Sequence, residues 1–262
     1  MQEIIITTVV IGVIGLVIGI ALVAAGKKFY VAVDEKAIAV RECLPGNNCG
    51  ACGYAGCDAV AAAIAAGEAP VNACPVSSAD VVDKIGAIMG VEAEAAQKKT
   101  AQVKCSGDCD HTSAKCNYVG IEDCRAAALA GLNTGSCTFG CLGYGSCVKA
   151  CTYDAIHVVN GVAKVDTSKC VGCGMCAKAC PKGLIEVVRA DRAFVVQCSN
   201  KDRGPAVKKV CSAGCLGCGA CVKQCEHDAI HVEGNLAYID YDKCVGCGKC
   251  AEKCPAKNIV RQ

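Results

Sequence analysis

The most apolar part of the chain is an uninterrupted segment near the N-terminus. Residues from Ile4 to Ala25 form a run of 22 without a charged side chain. An α-helix rises about 1.5 Å per residue, so this run would extend over about 33 Å and could cross a bilayer core. A cleaved signal peptide is the alternative, but no positive charge precedes the run, and it is longer than a usual signal-peptide core. We therefore expect a transmembrane anchor over residues 1–28.

Charges beside this segment predict its orientation. Lys27 and Lys28 follow it, whereas only Glu3 precedes it. Because positive charges favour the cytoplasmic side, we expect a single-pass protein of the cell (inner) membrane, with everything after Lys28 in the cytoplasm.

Beyond the anchor, the hydrophobic pattern is broken into short elements. Residues Asp58–Ala66 are rich in alanine and predict a helix, and Val91–Thr100 has the composition of a charged helical linker. The stretches around His157 and His231 are typical of short strands. This mixture predicts an α+β fold. The predicted divisions are an anchor (1–28), a small α-rich domain (29–90), a linker (91–104) and two modules (105–190 and 191–262).

The composition indicates what fills the interior. The 262 residues include 27 cysteines but no Trp, 3 Phe and 7 Tyr, so few large side chains are available for a core. The cytosol keeps thiols reduced, and an odd number of cysteines fits complete disulfide pairing poorly, so we interpret the cysteines as metal ligands. A net charge of +2 argues against a nucleic-acid partner.

Most of the cysteines lie in a duplicated module. Residues 137–186 and 211–260 align without a gap at an offset of 74, and 28 of the 50 positions are identical. Cys141, Cys147, Cys151, Cys170, Cys173, Cys176 and Cys180 correspond to Cys215, Cys221, Cys225, Cys244, Cys247, Cys250 and Cys254. Cys105 and Cys198 each end a similar tripeptide at the opening of a module and are predicted to be equivalent as well.

In the second copy the spacing is that of a bacterial two-cluster ferredoxin. Cys215-x2-Cys218-x2-Cys221-x3-Cys225 is followed by Cys244-x2-Cys247-x2-Cys250-x3-Cys254-Pro255. Three thiolates on one tight loop cap three irons of a [4Fe–4S] cube, and the fourth iron takes its ligand from the other run. The predicted ligand sets are therefore Cys215, Cys218, Cys221 with Cys254, and Cys244, Cys247, Cys250 with Cys225. Zinc, which also uses paired C-x2-C motifs, is the alternative.

The first copy departs from this pattern at one position. Tyr144 stands where Cys218 stands in the second copy. The set of Cys170, Cys173 and Cys176, closed by Cys151, is intact. The set of Cys141, Cys147 and Cys180 lacks a fourth thiolate, and we expect Cys137 to supply it. A three-iron cluster, or none, is the alternative.

The remaining cysteines form one clear group and one ambiguous group. Cys49-x2-Cys52-x4-Cys57 followed by Cys74-Pro75 predicts a fifth [4Fe–4S] cluster, with zinc as the alternative. Cys43 is predicted to be a plain thiol. A sixth cluster is left open: its ligands are either Cys105, Cys124, Cys198 and Cys211, or the local group of Cys105, Cys109, Cys116 and Cys124.

Together these features resemble the B-subunit family of the Rnf complex in its longer, multi-cluster form. The resemblance lies in the uncharged N-terminal helix, in Cys49-Gly-Ala-Cys52-Gly-Tyr-Ala-Gly-Cys57, and in the segment from Tyr118 through Cys124 to Cys147. It implies an N-terminal transmembrane helix, a small α-rich [4Fe–4S] domain and two tandem bacterial two-cluster ferredoxin-like modules. The implied cofactors are [4Fe–4S] clusters.

The resemblance also implies a function and partners. Rnf-type complexes oxidise reduced ferredoxin and pass electrons toward membrane subunits and NAD, coupled to Na⁺ or H⁺ translocation. This chain would be an electron-transfer subunit, with soluble ferredoxin and the membrane and NAD/flavin-bearing subunits as partners. It has no G-x-G-x-x-G in a strand–turn–helix context, so the NAD site is expected on another subunit.

Two alternatives remain from the sequence. One is a membrane-anchored polyferredoxin that serves a hydrogenase or a redox-sensor reductase, and the other is a zinc-rich or disulfide scaffold.

Four lysines surround the last cysteine run: Lys243, Lys249, Lys253 and Lys257. They either dock an acidic ferredoxin by electrostatic steering or form a solvated face.

Overall fold

The computed structural model describes residues 2–28, 34–92, 97–131 and 135–261. The first element is helix α1 (Gln2–Lys28), whose side chains are described at Ile6 and at residues 12–26. Among the residues so described, no helix has both the length and the apolar character of a membrane span. The transmembrane anchor stays a prediction from the sequence.

Residues 34–92 form a compact group of helices, which we call the helical unit. Its elements are α2 (Glu35–Cys43), α3 (Cys57–Ala65) and α4 (Ala79–Met89). Asp34 begins α2, because its side chain accepts a hydrogen bond from Lys36 N at 2.9 Å. Val40 and Ile64 are buried in the core between the helices. The alanine-rich helix predicted over residues 58–66 is confirmed as α3.

The rest of the chain contains two similar modules built from short strands and helices. Module 1 (residues 97–190) contains β1 (Lys99–Val103), α5 (Cys124–Leu129), α6 (Ser146–Lys149), β2 (Ile156–Val159), β3 (Val162–Val165), α7 (Met175–Ala179) and β4 (Ile185–Arg189). Module 2 (residues 191–261) contains β5 (Phe194–Val196), α8 (Gly204–Val210), α9 (Ala220–Gln224), β6 (Ile230–Glu233), β7 (Leu236–Ile239), α10 (Lys249–Glu252) and β8 (Ile259–Arg261). Among the described residues, each module has two antiparallel strand pairs: β1–β4 and β2–β3 in module 1, and β5–β8 and β6–β7 in module 2.

The strand register extends the internal repeat to the start of each module. Val103 pairs with Ile185, and Val196 pairs with Ile259, which is the residue 74 positions after Ile185. The next residue in each strand also bonds an equivalent partner: Lys104 N donates to Leu184 O, and Gln197 N donates to Asn258 O, both at 2.8 Å. The ends of β1 and β5 are therefore equivalent.

This pairing corrects the predicted linker. The sequence pattern predicts a linker over residues 91–104, with helical character over Val91–Thr100, but Lys99–Val103 is strand β1 of module 1. β1 forms because its residues, buried from Thr100 to Val103, complete a sheet with β4. Residues 93–96 of the predicted linker helix lie outside the described residues.

Module 1 carries an insertion between its first strand and the repeat. Cys141 follows Val103 by 38 residues, whereas Cys215 follows Val196 by 19. The inserted segment contains α5. The equivalent residues Ile156 and Ile230 are 2% and 1% exposed and pack with cysteines in the two module cores. The interior is thus built from small apolar side chains around thiols, as the composition predicts.

Candidate metal centres

We group 24 of the cysteines into six sets of four thiols and number the sets from the helical unit to module 2. Set 1 consists of Cys49, Cys52, Cys57 and Cys74 in the helical unit. Cys52, Cys57 and Cys74 pack in the same apolar core. The Asn48 side chain fixes the loop beside α3, because its Oδ1 accepts a hydrogen bond from Cys57 N at 2.7 Å.

The helical unit contacts module 1 next to set 1. Asn47 Nδ2 donates a hydrogen bond to Tyr153 OH at 2.7 Å. Burial raises the pKa of Tyr153, and the neighbouring thiols of Cys49, Cys173 and Cys74 raise it further. Set 1 therefore lies beside the thiols of module 1.

Set 2 is the intact set of module 1, formed by Cys151, Cys170, Cys173 and Cys176. Burial raises the pKa of Cys176 to about 11, and its three set partners raise it further. Backbone groups donate to two of the sulfurs: Ala101 N to Cys170 Sγ at 3.3 Å and Ala155 N to Cys151 Sγ at 3.5 Å. The structure brings the four predicted thiols together.

Set 3 differs from the sequence-based expectation. A cavity with an empty volume of about 360 Å³ is lined by Cys124, Cys141, Cys147 and Cys180. Burial raises the pKa of Cys147 to about 12, and the thiols of Cys141, Cys124 and Cys180 raise it further. The thiol beside the incomplete set is therefore Cys124, whereas the cysteine spacing predicts Cys137 in that place.

The inserted helix α5 explains how Cys124 reaches this position. Asp123 caps α5 by accepting hydrogen bonds from Arg125 N and Ala126 N. The hydroxyl of Ser146, which begins α6, donates to Asp123 Oδ2 and accepts from Cys124 N, both at 2.7 Å. These bonds hold Cys124 next to Cys147. Proximity along the chain favours Cys137, because this fold-back is not visible in the spacing.

Tyr144 has a structural role in the same region. Its ring lies 5.3 Å from the ring of Tyr118, at a tilt of 56°. Both rings pack against a small core of Cys124, Ala127 and Leu142. The tyrosine that replaces a cysteine of the repeat therefore helps to hold the helix that brings another cysteine.

Set 4 lies between the two modules. A cavity is lined by Cys105, Cys137, Cys198 and Cys211, and Cys141 of set 3 also lines it. The predicted sixth set contained Cys124 in the place of Cys137, and the structure exchanges these two residues. The local alternative, Cys105 with Cys109, Cys116 and Cys124, does not form one group, because Cys124 lines the set 3 cavity whereas Cys105 lines the set 4 cavity.

Set 5 is the first run of module 2. A cavity with an empty volume of about 320 Å³ is lined by the four predicted thiols, Cys215, Cys218, Cys221 and Cys254. The tight loop depends on Gly217, whose φ is +62° and where a Cβ would lie 2.6 Å from Asn235 O. The equivalent Gly143 has the same conformation, and its Cβ would lie 2.7 Å from Gly161 O. Both cysteine loops therefore have the same backbone.

Set 6 is the second run of module 2, with Cys225, Cys244, Cys247 and Cys250. Burial raises the pKa of Cys250, and Cys244 and Cys247 raise it further. Ala229 N donates to Cys225 Sγ at 3.4 Å, as the equivalent Ala155 N does to Cys151 in set 2.

The lysines around this run differ in their surroundings. Lys249 pairs with Glu226 at 2.5 Å and Lys243 pairs with Asp228 at 3.5 Å. Lys253 and Lys257 are exposed.

The six sets account for 24 of the 27 cysteines. The other three are Cys43, which is half-buried in the helical unit, and the exposed Cys109 and Cys116. Within the described ranges, no group of three or more His, Cys, Asp or Glu side chains is arranged around the position of one metal ion. The four thiols of set 3, of set 4 and of set 5 instead each line one cavity. All-thiol sets around cavities, with backbone N–H groups directed at sulfur, are the donor arrangement that holds [4Fe–4S] clusters.

Family comparisons agree with this chemistry. Three family models match: "Putative Fe-S cluster" at residues 44–76, "4Fe-4S binding domain" at 163–186, and "4Fe-4S dicluster domain" at 214–258. The helical unit and both modules each contain one of these matches. The protein is therefore an iron–sulfur electron-transfer protein with ferredoxin-like [4Fe–4S] modules.

Curated relatives extend over most of the chain. The B subunit of the Na(+)-translocating ferredoxin:NAD(+) oxidoreductase complex of Acetobacterium woodii is 45% identical, over 89% of this chain and 71% of the relative. The B subunit of the proton-translocating ferredoxin:NAD(+) oxidoreductase complex of Clostridium ljungdahlii is 41% identical, over 92% and 85%. The B subunit of the ion-translocating oxidoreductase complex of Methanosarcina acetivorans is 40% identical, over 94% of both chains.

These relatives define the family. The chain belongs to the B-subunit family of ion-translocating ferredoxin:NAD(+) oxidoreductase complexes, the Rnf family that the sequence motifs resemble. Its role is that of an electron-transfer subunit of such an oxidoreductase.

Proposed function

We propose that this chain takes electrons from reduced ferredoxin and conducts them through [4Fe–4S] clusters, held by its cysteine sets, toward the membrane and NAD-linked subunits of its complex. When bound, such clusters supply one-electron transfer without proton chemistry. The relatives' names include both Na⁺ and proton translocation, and either ion is compatible with this role.

The observation that carries the proposal is the contiguity of the sets. Burial and the neighbouring Cys49 of set 1 both raise the pKa of Cys173 in set 2. Cys141 of set 3 lines the same cavity as set 4. The Cys198 sulfur of set 4 accepts a hydrogen bond from Cys215 N of set 5 at 3.3 Å. Sets 2 and 3 share the apolar core of module 1, and sets 5 and 6 share that of module 2. Thiols of neighbouring sets therefore lie near one another from the helical unit to module 2.

The protein's own contribution is to fix the sulfurs and to favour added negative charge. Besides the N–H groups in sets 2 and 6, Leu184 N donates to Cys180 Sγ of set 3 at 3.5 Å. Hydrogen bonds to sulfur stabilise the more negative, reduced form of a bound cluster and so raise its potential.

We further propose that residues 4–25 anchor the chain in the cell membrane with the cysteine sets on the cytoplasmic side. The support is the uncharged run and the lysines that follow it. This arrangement would put the helical unit, with set 1, closest to the membrane subunits. Soluble ferredoxin and the flavin- and NAD-bearing subunits are the proposed partners. The alternative of a polyferredoxin for a hydrogenase or sensor reductase is not favoured by the named relatives.

The test is an assay of the complex purified anaerobically through this chain. We expect flavin-containing subunits to co-purify, and the membrane-reconstituted complex to reduce NAD with reduced ferredoxin. Cys250→Ser should lower the rate by at least about tenfold, while Cys116→Ser, outside every set, should leave it unchanged. A complex that oxidises ferredoxin equally well without this chain, or an iron-free chain, would refute the proposal.

A further inference from the structure

The two modules meet through a pair of reciprocal contacts. Ser106 Oγ of module 1 donates to Gln197 Oε1 of module 2 at 2.7 Å, and Ser199 Oγ of module 2 donates to Lys104 O of module 1 at 3.0 Å. The register that makes Val103 equivalent to Val196 also makes Lys104 equivalent to Gln197 and Ser106 equivalent to Ser199. The interface therefore has local pseudo-twofold symmetry.

The thiols of set 4 obey the same symmetry. Cys105 and Cys198 each lie two residues after the equivalent strand ends. Cys137 and Cys211 are separated by 74 residues, which is the offset of the repeat. Each module therefore contributes one member of each equivalent pair.

The donors around these sulfurs are also equivalent. The Cys105 sulfur accepts hydrogen bonds from the backbone N–H groups of Cys141 and Gly107, and the Cys198 sulfur accepts them from Cys215 and Asn200. Cys141 and Cys215 are a repeat pair, and Gly107 and Asn200 are equivalent by register. The symmetry thus includes the hydrogen bonds to sulfur as well as the cysteines.

The four thiols of this pocket are partly or fully buried. Cys198 and Cys211 are 8% and 7% exposed. A Cβ on Gly107 would lie 3.2 Å from Cys211 Sγ and 3.7 Å from Cys105 Sγ, and Asn200 Nδ2 donates to Cys137 Sγ at 3.4 Å. Like the four thiols of set 5, whose residues match the dicluster family model, these four thiols line one shared cavity. A Cys₄ zinc site closes its four sulfurs around a single ion, and in the described part of the chain no group of three or more such ligands is arranged in that way.

We propose that Cys105, Cys137, Cys198 and Cys211 form a shared [4Fe–4S] site, with two ligands from each module. The inference rests on the proposed function, because it treats the chain as a cluster carrier. The site lies between Cys141 of set 3 and Cys215 of set 5, so it fills the gap between the clusters of the two modules.

The first test is metal analysis of single variants of the full-length chain isolated anaerobically. Cys198→Ser and Cys211→Ser should each lose about four irons of roughly 24, together with about four acid-labile sulfides. Cys43→Ser and Cys116→Ser, which change thiols outside every set, should retain all of them. Unchanged iron in both set 4 variants would overturn the proposal. Loss of about one zinc per chain, with iron unchanged, would overturn it in favour of a zinc site.

A second measurement does not depend on the variants' folding. An iron-edge anomalous difference map of crystals of the unmodified chain should show density bounded by the four set 4 sulfurs. Density at the other five sets with none at set 4 would reject the shared site and leave the proposed function standing. An unmodified chain without any iron would instead reject the proposed function.

Discussion

Replacing the fourth thiol of set 3 and restoring one at the repeat position tests how module 1 completes its incomplete run. Cys124→Ser removes the thiol that α5 brings to Cys141, Cys147 and Cys180. Tyr144→Cys, added to that variant, places a thiol where Cys218 stands in module 2. Gly143 and Gly145 have φ of +78° and +71°, close to the +62° and +70° of Gly217 and Gly219. Because the loop backbones match, a cysteine at position 144 should reach the same cavity.

The expected magnitudes follow from the cluster and from the packing. Cys124→Ser should lose about one iron if three irons stay bound, or about four if the site empties, of roughly 24 per chain. The double variant should regain them. Tyr144→Cys also removes the tilted ring contact with Tyr118, which costs about 0.5–1.5 kcal/mol beyond the lost burial. That is small beside a typical domain stability of about 5–15 kcal/mol, so the rescued chain should fold.

The assay is iron and sulfide analysis with electron paramagnetic resonance of the oxidised and reduced chain. A three-iron signal in Cys124→Ser that disappears in the double variant would support the assignment directly. Cys137→Ser is the matched comparison: its loss should come from set 4 and should not be rescued by Tyr144→Cys. If Cys124→Ser kept all its iron while Tyr144→Cys rescued Cys137→Ser, the assignment of Cys124 would be refuted.

Three further predictions concern the loops, the thiols and the surface. Gly217→Ala should lose about four irons, because the added Cβ would clash with Asn235 O. Gly219→Ala is the control and should keep its iron, because Gly219 also has a positive φ but a Cβ there would have no neighbour within 4 Å. Equal losses of iron in the two variants would contradict the clash argument. In an iron-free, reduced chain, burial raises the pKa of Cys147 to about 12 and of Cys221 to about 11, above the ordinary 9.0 of an exposed thiol. In the unfolded chain these thiols ionise at a lower pH than in the folded chain. The free energy of unfolding should therefore be fully maintained below about pH 9 and decline toward pH 11–12. A urea midpoint that stays constant between about pH 8 and 10 would be the contrary result. If the exposed Lys253 and Lys257 steer an acidic partner, the double variant Lys253→Glu with Lys257→Glu should raise the KM for ferredoxin by roughly tenfold at low salt. Lys84→Glu, which changes an exposed lysine on α4, should leave the KM unchanged. A KM that does not depend on salt would contradict steering.

Sets 2, 5 and 6 could be predicted from the sequence because their ligands come from dense runs whose reach is set by local geometry. Three cysteines at two-residue intervals, with glycine between them, leave little freedom in how the loop closes. The fourth ligand, immediately before Pro255, could also be predicted, because the first cysteine run needs a fourth thiol from the end of the second run. In module 2 the structure brings together the same eight thiols.

Sets 3 and 4 could not be divided correctly by spacing along the chain. Cys137 is four residues from Cys141, which made it the nearest candidate, but its side chain lines the cavity between the modules. Cys124 is brought in by a helix whose position depends on the Asp123–Ser146 hydrogen bond. One signal was present: the offset of 74 maps Cys137 onto Cys211, which pairs both residues in one symmetric site. The linker boundary was missed for a related reason, because β1 is recognisable only from its pairing with β4.

Assigning Cys124 to set 3 and Cys137 to set 4 gives every set in both modules four thiols. In module 2, Cys218 completes set 5, so Cys211 can serve the interface. In module 1 the equivalent of Cys211 is Cys137, and symmetry assigns it to the same interface, which leaves set 3 one thiol short at Tyr144. The inserted α5 supplies that thiol, and Tyr144 packs against the helix that carries it. A single module could hold two clusters but only half of set 4. The shared site therefore requires the two modules to fold against each other, and loss of their reciprocal serine contacts should weaken cluster binding at set 4 before any other set.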